Sequence, residues 1–215
     1  MKTLRVPQLM GDNPDSLPTK IQELRQNGVR AEIDEVNWQL EYPKKMPVSV
    51  TLAHDGEKLY LFYEVKREKI RAVNTRDFGS VWEDSCVEFF MQREGEMAYR
   101  NFEANPLGAL LAAVRENRDS AVQLKADMPT IVRQASIGHY YGDGKELSDW
   151  TLYLEIPKRA LGFAADESLL GQHIRANFYK CGDNTVEPHF LSWNPIEAPQ
   201  PNFHLPQFFG KLELL

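Results

Sequence analysis

At 215 residues, with 42% hydrophobic and 26% charged residues, the chain can build a core without disulfide or metal staples, as one domain or one domain with an extension. A formal net charge of -6, with no basic run longer than Lys44-Lys45 or Lys66-Arg67, excludes a nucleic-acid backbone as the main partner. No apolar run approaches the ~20 residues that span a bilayer, so no membrane partner is expected. Met1 to Met10 has two basic residues and no continuous apolar stretch, so it does not read as a signal peptide. The chain as written is expected in the cytoplasm, or secreted or periplasmic if a leader precedes it.

The first 17 residues read as irregular, broken by Pro7, Gly11 and Pro14. Asp15 or Ser16 can cap a short helix over Pro18 to Gln26, which Gly28 closes. Residues 1–29 are therefore expected to form an N-terminal extension packed on a domain of residues 30–215. Ile33 to Tyr42 carries Trp38, expected to be structural, and ends at Pro43 and Pro47.

From there the period is two. Val48 to Ala53 and Leu59 to Val65 read as a hairpin across His54-Asp55-Gly56-Glu57, with Leu59, Leu61 and Tyr63 opposed to Tyr60, Phe62 and Val65. In Cys86 to Gln92, Val87, Phe89 and Met91 point to one side, and Cys86, Glu88 and Phe90 to the other. In the next strand Asn101, Glu103 and Asn105 share a face, while Arg100, Phe102 and Ala104 lie opposite. Strands follow at Gly108 to Arg115 and Ile131 to Ile137. Trp150 to Ile156 alternates most cleanly, with Trp150, Leu152, Leu154 and Ile156 inward. In His173 to Cys181, Ile174, Ala176 and Phe178 face the core, with Arg175, Asn177 and Tyr179 opposite. A Pro-rich loop from Pro195 to Pro206 precedes a last strand, Lys211 to Leu214. Eight or nine short strands, almost no helix and no βαβ alternation predict an all-β fold. The expected form is an antiparallel β-sandwich of jelly-roll type with a minor N-terminal helix.

No catalytic constellation is visible. There is no G-x-S-x-G, P-loop, G-x-G-x-x-G or H-E-x-x-H, and the five histidines are scattered. Acidic pairs such as Glu83 and Glu88 are the nearest thing to a glycosidase dyad, and no residue is assigned as catalytic. Cys86 and Cys181 form no C-x-x-C pair, which argues against zinc, and whether they pair with each other stays open. The polar strand faces suit a sugar, whose hydroxyls need donors and acceptors and whose C–H face needs an aromatic. Trp82 and Trp193 stand outside strongly apolar strands and are candidates for that aromatic; a place in the core is equally open for both.

Four stretches carry a resemblance: Trp82-Glu-Asp-Ser-Cys-Val-Glu88 with Phe89-Phe90, Tyr99 to Asn105 with Gly108, Trp150 to Pro157 with Leu161, and Ser192-Trp193-Asn194 running to Phe208-Phe209-Gly210. Ile33-Asp34-Glu35 with Trp38 adds an opening motif. Together they resemble family-9 carbohydrate-binding modules and their DOMON-like relatives. The resemblance implies non-catalytic binding of a sugar or glycan end between two tryptophans, here Trp82 and Trp193. Glu88 matches a glutamate six residues after the first tryptophan. A basic residue on the following strand is also implied; Arg100 is nearest, with Asn101 as the alternative because alternation turns Arg100 the other way. Asn194 adds a hydrogen bond beside Trp193. Family members often hold structural calcium, for which Asp183 with Glu187, or Asp34 with Glu35, are the acidic residues at hand, and the metal ligands are left unassigned. A glycoside hydrolase is the implied partner. The alternatives are a glycosidase-type enzyme and a haem-binding module, the latter needing axial ligands on the sheet face, whereas Met91 points to the core.

Overall fold

A computed structural model describes residues 1–9 and 16–215. Its strands in chain order are β1 (Thr3–Val6), β2 (Val29–Glu32), β3 (Glu35–Val36), β4 (Val48–His54), β5 (Lys58–Glu68), β6 (Cys86–Arg93) and β7 (Tyr99–Ala104). They continue as β8 (Leu110–Arg115), β9 (Val122–Gln123), β10 (Val132–Gly142), β11 (Lys145–Pro157), β12 (His173–Cys181), β13 (Phe190–Ser192) and β14 (Gly210–Leu214). One sheet runs β1-β14-β12-β6-β7-β8-β9, with β13 and β3 branching from β12. The other runs β10-β11-β5-β4-β2. The two sheets pack face to face as a sandwich.

The alternation read from the sequence decides which side chains meet between the sheets. Val87, Phe89 and Met91 of β6, Phe102 and Ala104 of β7, and Ile174, Ala176 and Phe178 of β12 join Leu61, Tyr63, Trp150, Leu152 and Leu154 from the facing sheet. Phe89 stacks between its register neighbours Phe178 and Phe102, with centroids 5.4 and 6.0 Å away. Such cross-strand aromatic pairs stabilise a sheet beyond simple burial. Val65 belongs to this inner set, not with Tyr60 and Phe62 as the sequence grouping had it; it has the parity of Leu61 and Tyr63.

The helix α1 (Leu17–Asn27) covers the outer face of the five-stranded sheet. Ser16 is its N-cap, accepting from the Thr19 backbone N–H, while Asp15 lies outside the described residues. Leu24 is buried and, with Leu17 and Ile21, packs on Ala53, Tyr60, Phe62 and Tyr153. Gly28 closes the helix because of space: a Cβ there would come within 2.6 Å of the Leu24 carbonyl and 2.8 Å of the Leu52 carbonyl.

The N-terminal segment contributes more than a packed extension. β1 pairs in parallel with β14, and β2 pairs with β4. No periodic pattern over four residues could announce β1, since a parallel partner 208 positions away supplies its hydrogen bonds (Thr3 opposite Lys211).

One polar group sits inside the sandwich. Lys180 of β12 donates to Glu68 of β5 at 2.8 Å and to His189 Nε2 at 2.7 Å, and Trp150 Nε1 donates to the same carboxylate at 2.7 Å. All four side chains are buried, and they tie the two sheets together at one register.

Candidate functional site

The outer face of the nine-stranded sheet is covered by the loop after β13, which lays Ile196 and Phe203 over Phe90, Tyr99, Tyr179 and Trp38. Trp38 is structural, as expected, its Nε1 donating to the Ala198 carbonyl at 2.8 Å. The loop stops short of one corner, where a pocket of about 260 Å³ opens. Its floor holds Glu88 and Cys181, with Glu103 beside Glu88. Phe190, Phe203 and His204 come from the far side, and Arg115, Arg118, Asp119 and Asp183 contribute charge.

Trp82 stands at this pocket with its side of the indole in solvent, 37% exposed. It belongs to a single helical turn, Val81–Glu83, that enters β6. Two buried neighbours hold that turn. Val81 anchors in the cluster under the loop. The Asp84 carboxylate accepts from Arg71 Nη1 (2.5 Å), the backbone N–H groups of Val73 and Asn74 (3.1 and 2.9 Å) and Asn105 Nδ2 (2.8 Å). A carboxylate with four donors fixes its loop, so the tryptophan is presented by a rigid mount.

Glu88 is buried, accepts from the Cys181 thiol at 3.0 Å and lies directly opposite Glu103 across β6 and β7. Burial first, and the Glu103 charge second, push its carboxyl well above the usual range. Burial also raises Glu103, to about 7, against the stabilising Asn101 Nδ2 donor at 2.6 Å and the Arg115 charge. Asp183 is raised by burial to about 6. Both shifts favour the protonated carboxyl, so Glu88 is the readier of the two to donate as well as accept, and Glu103, near 7, is the partly ionised acceptor. His204 is kept neutral by burial, down to about 3, with Tyr99 Oη 2.8 Å from its Nδ1.

The other expected residues fall differently. Trp193 is 3% exposed and lies in the main core, its ring 5.6 Å from Phe178 and against Gly210. A grip between Trp82 and Trp193 therefore does not form, and Phe190 and Phe203 are the further aromatics of the pocket. Asn194 is buried and structural, its Oδ1 accepting from the Lys2 N–H at 2.7 Å and its Nδ2 donating to the Phe208 carbonyl at 2.7 Å. Arg100 is on the Phe102 side, as alternation required; it pairs with Glu96 at 2.8 Å and packs on Gly162, away from the pocket. Asn101 is on the pocket side but one layer back, bonded to Glu103 and, at 3.0 Å, to Arg115 Nε.

The acidic residues named for calcium do not suit it. Asp34 and Glu35 face Lys2 and Lys45, and Glu187 pairs with Lys44 at 2.8 Å, leaving no set of convergent oxygens among them. Met91, considered against haem, is buried between the sheets.

Fold and pocket together define a ligand-binding β-sandwich module, with a polar floor and an exposed aromatic on one sheet face. The chain belongs to carbohydrate-binding family 9, whose sequence model matches residues 17–214. The crystal structure of a candidate carbohydrate-binding protein from Bacteroides uniformis ATCC 8492 is similar over 100% of this chain and 99% of its own, with 37% identity and a TM-score of 0.87. Two structures of a family 9 module from Caldicellulosiruptor kristjanssonii share the fold at 11% identity and a TM-score of 0.63. The glucose complex covers 100% of this chain and 96% of its own, and the cellotriose complex 99% and 93%. No curated protein matches the chain.

Proposed function

We propose that the chain binds a sugar or the end of a glycan, without cleaving it, in the pocket beside Trp82. The observation that carries this reading is the placing of one solvent-facing indole beside buried carboxyls and an arginine in a single pocket. The apolar C–H face of a pyranose, poorly solvated, covers the indole. Hydroxyls then meet Glu103 as acceptor, Glu88 as donor or acceptor, and Arg115 as donor. Family membership supports sugar as the ligand class, and family 9 modules of the same fold have been solved with glucose and cellotriose.

The paired glutamates do not favour hydrolysis. A glycosidase sets two carboxyls on either side of the scissile bond. Glu88 and Glu103 instead rise side by side from neighbouring strands of one floor. In this reading the module's working partner is a glycoside hydrolase acting on the same glycan.

The hydroxyls give up water to reach these groups, so net gains are small. Affinity is expected in the micromolar to millimolar range, about -8 to -4 kcal/mol. Titration calorimetry against glucose, cellotriose and a wider glycan panel tests this, with reducing-sugar release assayed in parallel. Saturable binding with no released sugar is the expected result. Release that disappears in Glu88→Gln would establish an enzyme instead.

A further inference from the structure

The spacing of Cys86 and Cys181 along the chain argued against a metal, but the fold reverses that argument. Strands β6 and β12 are antiparallel neighbours, and their register sets Cys86 directly opposite Cys181. Glu88, two residues along β6, points to the same face. We propose that Cys86, Cys181 and Glu88 form a site for one thiophilic divalent cation of the zinc class, in the floor of the pocket.

The geometry is that of a preformed donor set. One sulfur from each cysteine and one carboxylate oxygen all lie within 4.8 Å of one another. Cys181 Sγ and a Glu88 oxygen are already 3.0 Å apart. Donors around a single tetrahedral zinc, at roughly 2.0–2.3 Å from the metal, stand about 3–4 Å from each other, so small side-chain adjustments suffice. As the metal–sulfur and metal–oxygen bonds form, the two thiol protons and any proton on Glu88 pass to water. The resulting two thiolates and one carboxylate select a cation that tolerates both sulfur and oxygen, which magnesium and calcium do not. The strands fix the donors better than loops would.

Access and a vacant position also fit. Cys181 and Glu88 line the pocket, so a cation can enter from solvent without the sandwich opening. Three protein ligands leave a fourth position for water, for Asp183 on the same pocket wall, or for a hydroxyl of a bound ligand. Both cysteines are free thiols, and the Trp82 carbonyl accepts from Cys181 Sγ at 3.6 Å. The proposal does not depend on sugar binding: a protein that binds no glycan can still hold the cation.

The test uses the reduced, chelator-stripped full chain. Cobalt(II) is added and the near-ultraviolet thiolate-to-cobalt charge-transfer band is followed; zinc(II) affinity is then measured by competition with a chromophoric chelator. One equivalent per chain and a charge-transfer band are expected. Cys86→Ser and Cys181→Ser should each abolish the band. Each should weaken zinc by more than the roughly 10–100-fold that loss of a supporting outer-shell partner costs. Glu88→Gln, which alters no sulfur, should keep a weakened band and covers the case in which a serine variant does not fold. Absence of a band in the reduced wild type would overturn the proposal. So would a band that survives both serine variants, or closure of a Cys86–Cys181 disulfide in place of metal uptake under the same conditions.

Discussion

Trp193→Ala is expected to lower stability by about 3–5 kcal/mol, the range for truncating a buried large aromatic. The ring lies in the core against Phe178, and Gly210 packs so closely that a Cβ on it would come within 2.5 Å of the indole. A neighbour without a side chain cannot move in to fill the space, so the cavity stays open and the full penalty is felt. For a chain of this size the melting temperature should fall by about 6–20 °C. Urea denaturation would show the midpoint moving with the slope unchanged. A loss below about 1 kcal/mol, together with lost sugar binding, would mean that Trp193 is an exposed plate after all.

Lys180→Met should be comparably severe, at about 3–5 kcal/mol, because it strands the Glu68 carboxylate between the sheets. Burial alone would raise the Glu68 carboxyl; Lys180, together with His189 and the Trp150 hydrogen bond, outweighs it and holds Glu68 below the usual range. The double variant Glu68→Gln/Lys180→Met should recover part of the loss, since Gln still accepts from Trp150 Nε1 and no charge remains buried. A double variant no more stable than the single would show that shape, not charge, is what the site supplies.

The same cluster sets a pH dependence. Burial and the Lys180 charge lower His189 from 6.5 to about 4, so the folded chain keeps it neutral while the unfolded chain takes up a proton. A group with a depressed folded pKa contributes stability above its unfolded value and loses it as pH falls. Stability should therefore decline between about 6.5 and 4, and His189→Asn should flatten that slope. A slope unchanged by this substitution would remove His189 from the account.

Strand faces were legible because they depend only on a period of two. Cys86 to Gln92, Trp150 to Ile156 and His173 to Cys181 all sort inward and outward as the sequence implies, and the same rule kept Arg100 out of the pocket. Exposure was not legible for Trp193. Its polar neighbours suggested a loop at the surface, yet Ser192 and Asn194 are buried because they satisfy each other and Asn177: Ser192 Oγ donates to the Asn194 carbonyl at 2.8 Å, and the Asn177 side chain bonds Asn194 at both its backbone N–H and C=O. A polar residue with internal partners carries no exposure signal.

The pocket itself was half visible. Trp82 and Glu88 sit six residues apart on one turn and strand, close enough to read together. Glu103 shared the right face but gained its role only by standing opposite Glu88. Arg115, Asp183, Phe190 and Phe203 arrive from loops and strand ends far along the chain, where nothing periodic marks them. The facing of Cys86 and Cys181 was hidden for the same reason, since a cross-strand pair 95 positions apart leaves no local spacing to find.

The measurement that bears most directly on the pocket is calorimetric titration of Trp82→Ala with the tightest-binding glycan of the wild-type panel, paired with a thermal melt. Trp82 stands outside the core clusters, so its removal should leave the melting temperature within a few degrees. Binding should weaken at least about tenfold, or about 1.4 kcal/mol. Unchanged affinity in a folded Trp82→Ala protein would contradict the account and place the glycan somewhere else on the sandwich.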